Sequence, residues 1–252
     1  MLAVILCAHL AGNIAFAQFS PVNLNPRIGE EDGIVDITEF SGNYPRAVVE
    51  EYDRAIADAR KGELPQAVSR LEDAIKIVPE FYAAHKSLGT LYQVMRRFRD
   101  AEREYRIAKE LNPRSAAPLV SLGGLFIDEA ESGTITEGRE ILGLLNEALV
   151  NLQEAMRIQP ATAFARYLTG VVYYKTRFYE EAEDQFKQAL DTGTNMGFVN
   201  LALANVYLQL QEWETAIEHL DTYLRMYPWV NNRDDVRQVR AEAVLKLQAD
   251  NQ

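Results

Sequence analysis

The sequence predicts an all-α protein, a solenoid of stacked helical hairpins. Three observations carry that expectation. Helical periodicity dominates from Ala47 onward, and equivalent residues recur at a 34-residue spacing from starts at Val48, Tyr82 and Ala116, and again from Ala163 and Gly197. Small residues fill fixed columns: position 8 reads Ala55, Gly89, Gly123, Gly170, Ala204, and position 20 reads Ala67, Ala101, Ala148, Ala182, Ala216. A proline closes four of the five units at position 32: Pro79, Pro113, Pro160 and Pro228. Each unit then reads as a helix A, a turn and a helix B, with proline ending helix B.

The elements follow in chain order. Residues 1–17 form an apolar run ending in Ala15-Phe16-Ala17 before Gln18, which suits an export signal cleaved after Ala17. No Lys or Arg precedes Arg27, so the usual basic start is missing; a start assigned too far downstream would explain that. Residues 18–46 read as an irregular acidic leader, with Ile34, Val35, Ile37 and Phe40 as docking points. The solenoid spans 47–230. Its first repeat carries Arg54 and Asp58 where apolar residues are usual, as suits an exposed end.

The step from Ala116 to Ala163 is 47 residues, which places a 13-residue insertion near 129–141. There Thr134 and Glu137 read as a capping box, so helix B of repeat 3 is expected to start near Ile135 and to run long. This is either a protruding helix packed on its neighbour or a second surface for a partner or for self-association. In repeat 4, Gly193 is expected to end helix B. Residues 231–252 read as a capping helix with Val236, Val239, Ala243 and Val244 on its inner stripe.

Large residues alternate with these small ones. Position 11 holds Tyr92, Phe126, Tyr173 and Tyr207, position 24 holds Leu71, Tyr105, Leu152, Phe186 and Leu220, and position 27 returns to alanine in four repeats. Two helices approach closely only where small side chains meet, so position 8 is expected to face position 20. This pattern resembles the tetratricopeptide repeat (TPR) family. The resemblance implies a right-handed α-solenoid of about five repeats, with a concave groove lined by helix A.

In that register the groove holds Tyr52, Ile56, Val120, Phe164, Tyr167, Leu168, Val171, Tyr174, Phe198, Leu201, Asn205 and Leu208. Repeat 2 contributes polar Lys86, Ser87, Thr90 and Gln93 instead. Repeats 4 and 5 thus present an apolar, aromatic stripe suited to an extended or amphipathic segment of a protein partner. Family members that clamp a C-terminal carboxylate, or carry an asparagine ladder, need Lys, Arg or Asn on successive helices; only Lys86 and Asn205 are of the right type, three repeats apart.

Catalytic chemistry finds little material. The formal net charge of -11 argues against nucleic acid and anionic lipid as partners, leaving the N-terminal segment, if uncleaved, as the one contact with a membrane. Cys7 is the one cysteine and falls within the export signal. His85, at position 4 of repeat 2, reads as a buried structural residue and His219 as a surface one. No His and Cys spacing suits a metal, and no cofactor motif occurs. The function expected is therefore an exported, non-enzymatic scaffold or adaptor, periplasmic or extracellular, working in cell-envelope assembly. An accessory subunit of an envelope enzyme, or a glycan-binding module, is the alternative.

Overall fold

The structure, a computed structural model, describes residues 44–192, 197–229 and 233–251. The expected export signal and the leader up to residue 43, with its four docking residues, lie outside these, as does Gly193. The described residues form eleven α-helices and no strand.

Five hairpins succeed one another. They are α1 (Arg46–Arg60) with α2 (Leu64–Ile77), α3 (Tyr82–Val94) with α4 (Phe98–Leu111), and α5 (Ala117–Glu131) with α6 (Gly138–Ile158). Then come α7 (Ala163–Lys175) with α8 (Tyr179–Asp191), and α9 (Phe198–Leu210) with α10 (Trp213–Met226). A last helix, α11 (Arg233–Asp250), packs on α10. Each hairpin's two helices pack together, α2, α4, α6 and α8 pack on the first helix of the next hairpin, and α3, α5, α7 and α9 also touch in succession. That is the contact pattern of a solenoid, in which stability is a sum of units and nearest-neighbour interfaces.

The small columns explain how the hairpins close. A Cβ built on Gly89 would stand 2.6 Å from the Tyr105 ring, one on Gly123 2.6 Å from Leu152, and one on Gly170 2.6 Å from the Phe186 ring. Position 8 therefore also meets the large residue at position 24. The alanine of position 20 is fully buried in every repeat, yet the ring or branched side chain of helix B is what needs the missing Cβ. Removing Cβ lets an aromatic ring lie flat on the helix A backbone at interior density.

Position 4 adds a polar clasp to position 23. Glu51 accepts from Arg70 Nη1 at 2.9 Å in repeat 1, and His85 Nδ1 meets Glu104 Oε2 at 2.7 Å in repeat 2. In repeat 5, His219 Nδ1 donates to Asn200 Oδ1 at 3.0 Å. In repeat 4 the clasp shifts one turn, and Arg166 donates to Gln188. Buried polar groups persist only when satisfied. His85 meets that condition at both nitrogens, since its Nε2 donates to the Pro79 carbonyl at 2.8 Å.

Three sequence expectations change. Asp58 is not an exposed oddity of the first repeat: it is 8% exposed and accepts from Arg70 Nε at 2.8 Å. His219 is half-buried, stacked on Tyr207 with ring centroids 5.4 Å apart, and burial pushes its pKa down. Helix α6 starts at Gly138, three residues beyond Ile135, because Thr134 is held by its neighbour. Its backbone N–H donates to the Ser132 hydroxyl at 3.2 Å, and the two hydroxyls lie 2.5 Å apart. A local side-chain turn there competes with helix capping.

With 21 residues, α6 exceeds the 14 of α10 by about 10 Å at 1.5 Å per residue. Ile141 and Leu145 tie the overhang to the core, while Leu142 is 51% exposed. At the C-terminus, Val236 and Ala243 of α11 are buried, and Arg240 holds Asp221 through two bonds at 2.5 and 2.9 Å. Tyr223, which replaces alanine at position 27, is buried beneath α11 beside Val236.

Candidate interaction groove

The inner row of first helices (α1, α3, α5, α7 and α9) is joined by side-chain contacts that pass from one repeat to the next. Tyr52 and Ser87 hydroxyls meet at 3.0 Å, and Gln93 donates to Asp128 at 2.6 Å. Both pairs are 35 residues apart, one repeat plus one. That recurrence was present in the sequence as a signal, but reading each helix by itself missed it. Lys175 of α7 pairs with Glu131 of α5. Tyr167 of α7 packs edge-on against Phe198 of α9, with ring centroids 4.8 Å apart.

The twelve groove residues separate into two sets. Tyr52, Val120, Tyr167, Leu168, Val171 and Leu201 are buried. Ile56, Phe164, Tyr174, Phe198, Asn205 and Leu208 are half-exposed. The expected exposed stripe is therefore narrower than the register suggested. Tyr167 touches Phe164, Phe186 and Phe198, and Leu168 is fully buried. Both are core residues, because adjacent first helices pack closely enough to shield the positions between them. The half-exposed set is concentrated at repeats 4 and 5, with Ile56 alone at repeat 1.

Repeats 2 and 3 offer a different surface. The buried Tyr105 hydroxyl donates toward Thr90 at 3.1 Å and Gln93 at 2.8 Å, and Gln93 passes the line on to Asp128. Burial pushes the Tyr105 hydroxyl well above its usual range. Beside it, Lys86 is 8% exposed. Lys175 is pushed down to about 8 by burial, with Asp128 opposing the shift. Tyr174 is pushed up to about 12, first by burial and then by Tyr179. The row thus combines a hydrogen-bonded polar line at repeats 2 and 3 with aromatic surface at its C-terminal end.

Among the described residues no group of three His, Cys, Asp or Glu could hold a metal ion, and no helix is long and apolar enough to cross a membrane.

Comparison with known proteins agrees with this geometry. The tetratricopeptide repeat family model matches residues 167–231, the α7–α10 region. No curated protein matches the sequence. Among solved structures, a thermophilic TPR protein of Thermus thermophilus superposes with a TM-score of 0.66 at 22% identity, covering 79% of this chain and 100% of its own. PilW, a type IV pilus biogenesis factor, gives 0.63 at 19% identity, covering 82% and 94%. PilF of Pseudomonas aeruginosa gives 0.60 at 20% identity, covering 81% and 91%. The fold is that of the tetratricopeptide-repeat solenoids.

Proposed function

We propose that this chain is a non-enzymatic scaffold that binds a segment of another protein along its row of first helices. The observation that carries the reading is the half-exposed set Phe164, Tyr174, Phe198, Asn205 and Leu208 on adjacent helices of repeats 4 and 5. Aromatic side chains of this kind are favoured interface anchors. One amide among them supplies a polar contact for a backbone in the groove.

We further propose that the protein is exported and serves in assembling cell-envelope structures. The N-terminal apolar run supports export, and the likeness of fold to PilW, a type IV pilus biogenesis factor, supports the setting.

The test uses the full chain carrying Phe164→Ser with Phe198→Ser. Affinity capture from envelope extract should recover a protein with the parent chain and lose it with the variant, while circular dichroism stays helical. Equal recovery by both overturns the groove. For export, mass spectrometry of cell-derived protein should find Gln18 first; an intact Met1 overturns cleavage.

A further inference from the structure

Two repeats build the clasp between positions 4 and 23 with a histidine, and they provide for it differently. In repeat 2 both nitrogens of His85 face acceptors, the Glu104 carboxylate at 2.7 Å and the Pro79 carbonyl at 2.8 Å. In repeat 5 the partner is an amide, and His219 Nδ1 donates to Asn200 Oδ1 at 3.0 Å. An amide oxygen accepts one N–H and brings no negative charge to an imidazolium.

The surroundings of His219 form a joint of three helices. Its ring lies on that of Tyr207 of α9, with planes 12° from parallel. Tyr207 donates to Glu183 of α8 at 2.8 Å, so the stack reaches into repeat 4. Lys187 of α8 pairs with the same carboxylate and stands 5.9 Å from the centre of the Tyr207 ring. Burial is the largest influence on the His219 ring and disfavours its charge. Glu218 on its own helix favours that charge, Lys187 opposes it and Glu183 favours it. Helix α11 also packs on α10, but its Arg240 is spent on Asp221. The helix that gives Asn200 and Tyr207 to this joint, α9, also gives Phe198, Asn205 and Leu208 to the groove.

We propose that repeat 5 is an acid-sensitive wall of the groove: proton uptake by His219 breaks its clasp on Asn200, loosens α9 from α10 and releases the segment bound on α9. Release of a partner rests on the groove reading; loosening of the hairpin does not. The direction follows from linkage. An exposed imidazole takes up its proton at about pH 6.5, and burial holds His219 below that. A group depressed in the folded state adds stability that is complete above its unfolded value and is lost as pH falls below it. The α9–α10 hairpin is therefore closed at neutral pH and gives way first in mild acid. The α3–α4 hairpin, whose histidine meets a carboxylate, stays closed over the same interval.

The experiment uses the full chain and hydrogen exchange read by mass spectrometry at about pH 7.5 and about pH 5.5, the interval in which an imidazole titrates, with intrinsic rates divided out. Amides of α9 and α10 should lose roughly three-fold or more protection in acid relative to those of α3 and α4. Equal change in the two hairpins overturns the proposal. Two variants test the cause. Asn200→Asp supplies the carboxylate that repeat 2 has and should abolish or reverse the loss. His219→Gln keeps a donor for Asn200 without a titrating ring and should make α9–α10 protection independent of pH. A loss that persists in both variants overturns the role of His219. Partner capture from envelope extract at the two pH values separates the readings. Capture that fails in acid with the parent and survives with His219→Gln supports regulation. Equal capture by the parent at both pH values defeats the regulation and leaves the groove standing. No capture at either defeats the groove, while exchange still decides the fate of the hairpin.

Discussion

Repeats 2 and 4 use one register for two different inner surfaces. Between their helices they are alike: Gly89 admits the Tyr105 ring and Gly170 the Phe186 ring, at the same 2.6 Å from a would-be Cβ. On the inner row they part. Repeat 2 holds Thr90 and Gln93 in a hydrogen-bonded line through Tyr105, while repeat 4 presents Phe164, stacked on the buried Tyr167, and Tyr174, beside Tyr179. The clasps part as well, since His85 and Glu104 are buried together and Arg166 is half-exposed. Packing between helices dictates residue size and leaves little choice. The inner row is free to vary, so differences there carry information about binding.

The comparison can be broken at its strongest point first. Gly89→Val and Gly170→Val should each lose about 3 kcal/mol in urea unfolding, because a branched side chain must displace a buried ring. A variant that unfolds like the parent would remove the shared contact. Next come the clasps. Glu104→Ala should cost about 1–3 kcal/mol, since it strands a buried imidazole nitrogen, whereas Arg166→Ala should stay under about 1 kcal/mol. Equal losses would erase the distinction between the two repeats.

A third prediction concerns acid. Glu51 and Asp58 are held below the usual carboxylate range, first by the hydrogen bond from Arg70. Groups depressed in the folded state add stability above their unfolded values, and that contribution disappears as pH falls through the folded ones. The gap between parent and Arg70→Met should therefore be widest at neutral pH and close in acid. A gap independent of pH would show that Arg70 acts by packing alone. The smallest effect is a gain: Gly143→Ala in α6, where a Cβ meets nothing within 4 Å, should stabilise by about 0.5–1 kcal/mol.

Much of this fold was legible because a repeat writes the same constraint five times. Columns of glycine, alanine and proline specify hairpins more firmly than any single helix pattern does. What escaped the sequence were relations between columns. Size pairs Gly89 with Ala101, but it does not reveal that the ring of Tyr105 also requires the space. The groove was read by direction alone: position numbers say where Tyr167 points and nothing of how closely Phe164, Phe186 and Phe198 surround it. His219 looked like a surface residue because its partners, Asn200 and Tyr207, come from another helix. Thr134 was legible as a cap in isolation, but Ser132, two residues before it, offered a nearer bond.

The overhang of α6 bears on how the chain finds its own register. Near-equal hairpins can pair with the wrong neighbour, a characteristic failure of arrays in which every unit offers a similar face. A helix B of 21 residues among ones of 13 or 14 breaks that equivalence. Shifted by one repeat, it would give up the core contacts that Ile141 and Leu145 make in place. The long helix therefore works as a fiducial mark, giving an otherwise repetitive chain a fixed midpoint from which the other pairings are counted.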